Sequence, residues 1–195
     1  MAVSTHRRVV RDRILREAEG YLELLMVGPS KWDLQPAVRD PVAQRALDAL
    51  QRLDESDQRS AYVLYLQGLA YRAMERYHDA IPPLRESAEQ DPEDSHALLA
   101  LGWCYKRIGR LNLAIQALQE ALAVDENQAI VHYNLACYWS LTGNAEIALD
   151  HLATALQIDP KYRGLAAEET DFDGIRQHPG FRELTSASVC SRRRR

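Results

Sequence analysis

The hydrophobic positions of residues 61–162 repeat with a period of 34 residues, in three contiguous blocks, 61–94, 95–128 and 129–162. Each block has a small residue at its eighth position, a large aromatic residue at its eleventh, alanine at its twentieth and leucine at its twenty-fourth. In block order, these columns are Gly68, Gly102 and Ala136; Tyr71, Tyr105 and Trp139; Ala80, Ala114 and Ala148; Leu84, Leu118 and Leu152. A fixed period over several columns predicts a repeat architecture.

The residues between these columns predict helices and no strands. Strong helix formers are abundant, glycine and proline are scarce at 9 and 8 residues, and no alternating β-branched stretch is bounded by turn signals. Gly109 and Gly143 fall where one helix should give way to the next, a place that often needs positive φ. Pro82 and Pro83 predict a late start or a kink in the second helix of the first block.

This pattern resembles the tetratricopeptide repeat (TPR) family. The resemblance implies an all-α fold without a sheet: an α-solenoid of antiparallel helix pairs, wound as a right-handed TPR superhelix. Each block would then be one pair, helix A followed by helix B. Small residues at the eighth and twentieth positions let the two helices approach closely, while the aromatic residue and the leucine fill the remaining space.

The chain outside the three blocks predicts two ends for the array. Residues 9–54 are interpreted as a degenerate TPR-like helix pair, with Ala18, Ala46 and Leu50 at the eighth, twentieth and twenty-fourth positions. An inserted loop at about residues 27–40 separates its helices. Residues 163–186 look like closing helices, with Phe172, Ile175, Phe181 and Leu184 turned toward the last block, because a solenoid needs capped ends.

Two further segments carry open interpretations. Trp32, in the inserted loop, either covers an edge of the array or contacts a partner. Residues 187–195 end in four arginines and are expected to be a disordered basic tail, which could touch nucleic acid or an acidic membrane only weakly.

Composition narrows the class of protein. The net charge of −4 argues against a general nucleic-acid binder, and no apolar run is long enough to cross a membrane. The N-terminal residues lack the apolar stretch of a secretory signal. The three cysteines are an odd number without CxxC spacing, so neither a disulfide framework nor a zinc site is expected and the cytoplasm is the predicted location.

No arrangement for catalysis is visible in the sequence. There is no phosphate-binding glycine loop, HExxH or GxSxG motif, and no histidine lies at i, i+4 spacing from another metal ligand in a way that suggests a site. His132 is interpreted as a packing residue, and Cys104 and Cys137 as structural cysteines. The expectation is a non-enzyme without cofactor or metal.

The resemblance also implies a binding surface. Stacked A helices line the concave groove of this family, usually through the second, fifth, ninth, twelfth and thirteenth positions. Carried over to this chain, these positions are Tyr62, Tyr65, Leu69, Arg72 and Ala73; His96, Leu99, Trp103, Lys106 and Arg107; Ile130, Tyr133, Cys137, Ser140 and Leu141. Tyrosine, tryptophan and arginine are the residues that most often anchor interfaces.

One use of the family is not expected here. TPR domains that bind the carboxy-terminal tail of chaperones carry a clamp of lysine, asparagine and arginine. The corresponding positions of this chain are Tyr65, Leu69, Ala100, Ile130 and Asn134. Four of the five are apolar or aromatic and none is basic, so the chain should not bind such a tail.

The predicted function is a non-catalytic adaptor or scaffold. It would bind a peptide or helix of a protein partner in the groove, with apolar or aromatic residues at its centre and acidic flanks meeting Arg72, Lys106 and Arg107. The alternative is a self-association module, a homo-oligomer whose groove is filled by its own N-terminal segment. In that case the groove aromatics would be ordinary core.

Overall fold

In a computed structural model of the chain, the structure describes the backbone of residues 2–26 and 34–186 and the side chains of residues 6–25 and 34–186. Within these ranges every regular element is a helix and no β-strand occurs. The predicted all-α fold of paired antiparallel helices is therefore confirmed. The chain divides into two compact units, Met1–Ile108 and Gly109–Arg195, so the boundary falls inside the second 34-residue block.

The described residues of the first unit form six helices. They are α1 (Ala2–Met26), α2 (Pro36–Leu50), α3 (Glu55–Gln58), α4 (Ala61–Ala73), α5 (Tyr77–Gln90) and α6 (Ser95–Arg107). Consecutive long helices contact each other along the chain, and α4 is also in contact with both α1 and α6. Because α1, α4 and α6 are neighbours in this way, their side chains can share one surface.

Over residues 109–186, the second unit contains five helices and a short 3-10 turn. They are α7 (Leu111–Val124), α8 (Ala129–Leu141), α9 (Ala145–Ile158), α10 (Tyr162–Glu168), the 3-10 turn (Thr170–Phe172) and α11 (Pro179–Thr185). Helix α8 contacts α7 and α9, and the 3-10 turn contacts α8. Helices α10 and α11 contact each other and α9.

Helix starts follow the period of the sequence. Helices α4, α6 and α8 begin at Ala61, Ser95 and Ala129, the first residue of each block. Helices α5, α7 and α9 begin at Tyr77, Leu111 and Ala145, the seventeenth residue of each block. The repeated spacing of small and large residues therefore sets where each helix begins.

The column of small residues permits a close approach between α4 and α5. A Cβ atom added to Gly68 would lie 2.3 Å from Cγ of Leu84, closer than real Cβ contacts. Leu84 itself is fully buried. In the second unit Ala136 and Leu152, at the same two positions of their block, are also fully buried. The first block thus shows that the small eighth residue faces the leucine at the twenty-fourth position.

The turns between A and B helices share one backbone conformation. Gly109 and Gly143, the fifteenth residues of their blocks, have φ of 75° and 82°, which confirms the prediction. Glu75 occupies the fifteenth position of the first block with φ of 58°, although it has a side chain. Such a conformation is uncommon for a non-glycine residue. Of the two alternatives predicted for α5, the late start is wrong, since that helix begins at Tyr77 and includes Pro82 and Pro83. The kink stays a prediction.

Both ends of the described chain contain buried side chains. Ala18, Ala46 and Leu50 are fully buried in the first unit. In the second unit Phe172 and Phe181 are buried, with 0% and 2% of their surface exposed. The boundaries proposed for the terminal segments stay predictions. The expectations for Trp32 and for the tail 187–195 lie outside the described residues.

A histidine pair joins α8 to α9. Nδ1 of His132 lies 3.0 Å from Nδ1 of His151, and both side chains are half-buried. Burial lowers the pKa of His151, the charge of His132 lowers it further, and Asp150 opposes both. The folded protein therefore favours the neutral form of His151.

We expect acid to weaken the protein through His151. An unfolded histidine titrates near pH 6.5, so below that pH the unfolded chain takes up a proton that the folded protein resists. This contribution to the free energy of unfolding is fully present above about pH 6.5 and declines as the pH falls through the window below it. Urea unfolding of wild type and of His151→Gln at about pH 7.5 and 5.5 measures this contribution. Carboxylates such as Asp94 titrate at lower pH, so they add little to the difference between these two pH values. Equal losses of stability in both proteins would contradict the prediction.

Candidate functional site

A cleft of about 510 Å³ opens on the first unit. It is lined by side chains of α1, α4 and α6 and by the turn that leads into α5. The lining residues are Leu22, Leu25, Leu69, Arg72, Ala73, Glu75, Tyr77, Trp103 and Arg107. The surface shared by neighbouring A helices thus contains a cavity large enough for a side chain or a short peptide segment.

The register of the blocks places these residues together. Leu69 and Trp103 are the ninth residues of their blocks, and Ala73 and Arg107 are the thirteenth. Residues four apart lie on the same face of a helix, one turn from each other. Since α4 and α6 carry the same register, their ninth and thirteenth residues line the same cleft.

Trp103 is at the centre of an aromatic and cationic cluster. Its ring meets the ring of Tyr77 edge to face, with centroids 5.3 Å apart. The guanidinium carbons of Arg72 and Arg107 lie 5.5 Å and 5.4 Å from the Trp103 centroid, and that of Arg107 lies 5.2 Å from the Tyr77 centroid. Such cation–π contacts contribute about 0.5–1 kcal/mol each where water has access, and they hold the arginines beside the rings.

The cleft has an excess of positive charge. Glu75, the carboxylate of the lining, is paired with Arg39, whose Nη1 lies 2.5 Å from its Oε1. Among the described residues, no carboxylate forms an ion pair with Arg72 or Arg107. Burial raises the pKa of Tyr77, against an opposing effect of Arg107, so its hydroxyl stays neutral and supplies no counter-charge. A ligand that brings a carboxylate would therefore meet two available guanidinium groups.

Arg72 also affects the pKa values of nearby groups on α4 and α6. Burial raises the pKa of Cys104 to about 11, with Arg72 acting in the opposite direction. Burial also raises the pKa of Tyr65, again against Arg72. Both groups are protonated at neutral pH, so Cys104 is not a thiolate nucleophile.

A second row of aromatic side chains lies on the first unit. The ring of Tyr65 is 6.5 Å from that of Tyr62 and 6.3 Å from that of His96. The Tyr62 hydroxyl donates a hydrogen bond of 2.7 Å to Glu19 of α1. Burial raises the pKa of Tyr62, and the bond to Glu19 raises it further. This row is anchored to α1 and is separate from the residues that line the cleft.

The structure divides the residues of the predicted groove in the first unit. Leu69, Arg72, Ala73, Trp103 and Arg107 line the cleft. The other five do not: Tyr62, Tyr65 and His96 form the aromatic row, and Leu99 and Lys106 are half-buried.

In the second unit the predicted residues have different surroundings. Tyr133, Cys137 and Ser140 are buried, with 7%, 3% and 4% of their surface exposed. The ring of Tyr133 stacks on Tyr162 at 4.8 Å and meets Phe172 edge to face at 5.9 Å. Burial raises the pKa of its hydroxyl. Ile130 and Leu141 remain exposed, at 37% and 43%.

Four lining residues were not among the predicted groove positions: Leu22, Leu25, Glu75 and Tyr77. One of them had a signal in the sequence. If Ala18 takes the eighth position of a helix A, Leu22 takes the twelfth, which is one of the groove positions. Glu75 belongs to the turn between α4 and α5 and Tyr77 is the first residue of α5, and the groove positions make no prediction for either.

Two other kinds of site are absent from the described part of the chain. No three or more His, Cys, Asp or Glu side chains of these residues come together as a metal site. No helix in residues 2–26 or 34–186 combines the length and apolar character that a membrane crossing requires.

Comparison with known proteins identifies the family. The model of a tetratricopeptide repeat family matches residues 65–129, which include most of α4, all of α5, α6 and α7, and most of the cleft. This part of the chain consists of tetratricopeptide repeats. Repeats of this kind are typically non-catalytic and contact other proteins. No curated protein matches the sequence of this TPR chain.

Solved structures of TPR proteins share the fold. A crystal structure of MamA has a TM-score of 0.64 and 20% sequence identity, covering 82% of this chain and 90% of MamA. Another MamA structure, from AMB-1, has a TM-score of 0.56 and 25% identity, covering 78% of this chain and 98% of its own. YrrB, described as a TPR protein with an unusual peptide-binding site, has a TM-score of 0.53 and 23% identity; 65% of this chain aligns with 62% of YrrB.

Proposed function

We propose that this TPR protein is a non-catalytic adaptor that binds an acidic peptide segment of a partner protein in the cleft of the first unit. The observation that carries the proposal is the cluster of Trp103 with Arg72 and Arg107, two guanidinium groups that lack a carboxylate partner among the described residues. Tryptophan and arginine in a partly desolvated cavity are the residues most often found at the energetic centre of an interface.

The chemistry of the ligand follows from the walls of the cleft. Leu22, Leu25 and Leu69 offer an apolar surface, on which an aromatic or aliphatic side chain of the peptide would lie. Carboxylates on either side of that residue would meet Arg72 and Arg107, whose planar groups bind carboxylates through two parallel hydrogen bonds. YrrB, which shares the fold, is described as having a peptide-binding site. The cytoplasmic location stays a prediction from the cysteine spacing.

We expect Trp103→Ala to weaken peptide binding by at least about tenfold, the usual loss at an interface anchor. Peptides selected from a random library on the wild-type protein provide the ligands, and calorimetry gives the affinity. Arg72→Glu together with Arg107→Glu should lower affinity further for the most acidic peptides. The matched control is Arg45→Glu, an exposed arginine of α2 that does not line the cleft.

Two outcomes would count against the proposal. Selected peptides without an enrichment of Asp or Glu would remove the acidic ligand, and peptides that bind the folded Trp103→Ala protein with unchanged affinity would remove the cleft. Self-association remains the competing function. Light scattering over a range of protein concentrations separates the two functions. An oligomer that dissociates in the Trp103→Ala variant would mean that a second copy of the chain occupies the cleft.

A further inference from the structure

The histidine pair of the second unit has the arrangement of two metal ligands. His132 of α8 and His151 of α9 are 19 residues apart in sequence, yet their Nδ1 atoms lie 3.0 Å from each other. The ring centroids are 5.2 Å apart, with 41° between the ring planes. Pairing of α8 with α9 creates this proximity, so the two histidines do not show the spacing of one helical turn in the sequence.

A hydrogen bond fixes which nitrogen of His132 carries a proton. Its Nε2 lies 3.0 Å from the backbone oxygen of Glu126, and a carbonyl oxygen can only accept. Nε2 must therefore donate, so the neutral ring presents the lone pair of Nδ1 toward His151. A histidine that binds a metal usually donates its other ring N–H to a carbonyl or carboxylate in the same way, which orients the ring.

The spacing of the two nitrogens suits a shared ion. Nitrogen ligands bind zinc at about 2.0–2.1 Å, so two of them at angles of about 90–110° are about 2.9–3.4 Å apart. We propose that His132 and His151 form a bidentate site for a borderline transition-metal ion such as Zn²⁺, Ni²⁺ or Cu²⁺, with water completing the coordination. On binding, His151 changes tautomer: its Nδ1 proton passes to water and its Nε2 takes up a proton from water, so the ring stays neutral and both Nδ1 atoms become ligands.

The protonation state of His151 agrees with this geometry. Burial and the neighbouring His132 lower the pKa of His151, so the ring is neutral at physiological pH, as a ligand must be. The ion would tie helix A to helix B of the third repeat. Because the folded state places both ligands together, binding would raise the thermal stability of the protein.

The test is a titration of the untagged protein with ZnCl₂ and NiCl₂ in a Cys190→Ser background, because thiolates also bind these ions. Calorimetry should show saturable binding of one ion per chain. His151→Gln and His132→Gln should each reduce affinity by at least about tenfold, since loss of an outer hydrogen bond alone already costs 10–100-fold. The matched control is His78→Gln, an exposed histidine on α5. Mg²⁺ prefers oxygen ligands and should not bind.

A second measurement does not depend on the variants folding. Proton–nitrogen NMR of wild-type protein with labelled histidines should show the ring signals of His132 and His151 shifting with zinc, while those of His78 and His96 stay in place. Added EDTA should restore the original spectrum. Absence of saturable binding at millimolar zinc, or zinc-induced shifts confined to the other histidines, would overturn the proposal.

Discussion

Replacing Phe172 with alanine is expected to lower the free energy of unfolding by about 3–5 kcal/mol, the range for large aromatic residues removed from a core. Phe172 is fully buried. Its ring contacts Tyr133 at a centroid distance of 5.9 Å and Phe181 at 5.3 Å. Removing it leaves a cavity between α8 and the closing segments, and both partner rings lose contacts at once.

The segment that carries Phe172 is held in place by other bonds, so the cavity should not simply collapse. Arg176 donates hydrogen bonds to the backbone oxygens of Ala167, at 2.5 Å, and Glu169, at 2.7 Å. It also pairs with Asp173 at 2.7 Å. A backbone fixed on both sides of Phe172 relaxes little after truncation, which favours the upper part of the expected range.

Urea unfolding followed by circular dichroism measures this effect, and hydrogen exchange of α8 reports it locally. Phe172→Leu, which retains most of the volume, should lose clearly less than Phe172→Ala. Leu165→Ala is the matched control, since Leu165 of α10 is 51% exposed and should change stability by less than about 0.5 kcal/mol. A loss below about 1 kcal/mol for Phe172→Ala would show that the closing segments do not stabilise α8.

The period of the sequence was sufficient to predict the helices because each block contains the residues that pack its own two helices together. A small residue at the eighth position and a leucine at the twenty-fourth meet within one helix pair, as Gly68 and Leu84 do. The information is local, and three copies of it reinforce each other. The same argument predicted the positive φ of Gly109 and Gly143, whereas Glu75 shows that the turn accepts a side chain.

The repeat pattern does not predict which side chains surround the predicted groove residues. Tyr133 holds the fifth position of its block, as Tyr65 and Leu99 do, yet it is buried against Tyr162 and Phe172. Phe172 belongs to the segment after residue 162, which lacks the 34-residue period. Tyr162 is the last residue of the third block. Residue types at one position therefore predict which side of a helix a residue occupies, and they do not predict what covers that side.

The charge of the cleft is a second property that the repeat pattern does not predict. The position of the cleft between A helices follows from the register of the blocks. Its charge depends on an ion pair that no repeated position of the blocks predicts. Arg39 of α2 neutralises Glu75, which leaves Arg72 and Arg107 as the charges that face a ligand. This pairing joins residues 36 apart in sequence, one in α2 and the other in the turn between α4 and α5.

Gly68→Ala is expected to destabilise the protein by about 1–3 kcal/mol, as overpacking of a well-filled core does. The new methyl carbon would lie 2.3 Å from Cγ and 2.5 Å from Cδ2 of Leu84. Leu84 is fully buried and has no solvent-facing space into which to rotate. Helices α4 and α5 would have to separate, and the loss of their contacts should outweigh the higher helix propensity of alanine, about 1 kcal/mol.

A matched substitution separates the contact from the propensity. Gly20 lies in α1 with no atom within 4 Å of its added Cβ, so Gly20→Ala should leave stability unchanged or raise it by up to about 1 kcal/mol. Gly68→Ala and Gly20→Ala therefore make the same chemical change with opposite expected signs. Urea unfolding of the two variants in the same buffer gives both values.

Adding Leu84→Ala completes a double-mutant cycle for this contact. Leu84→Ala alone should lose about 2–5 kcal/mol, because it leaves a cavity beneath α4. In the double variant the methyl group introduced by Gly68→Ala enters the space that the leucine side chain vacated, so the combined loss should be smaller than the sum of the single losses by about 0.5 kcal/mol or more. Strict additivity would mean that position 68 does not contact position 84, and the close approach of α4 and α5 would then need another cause.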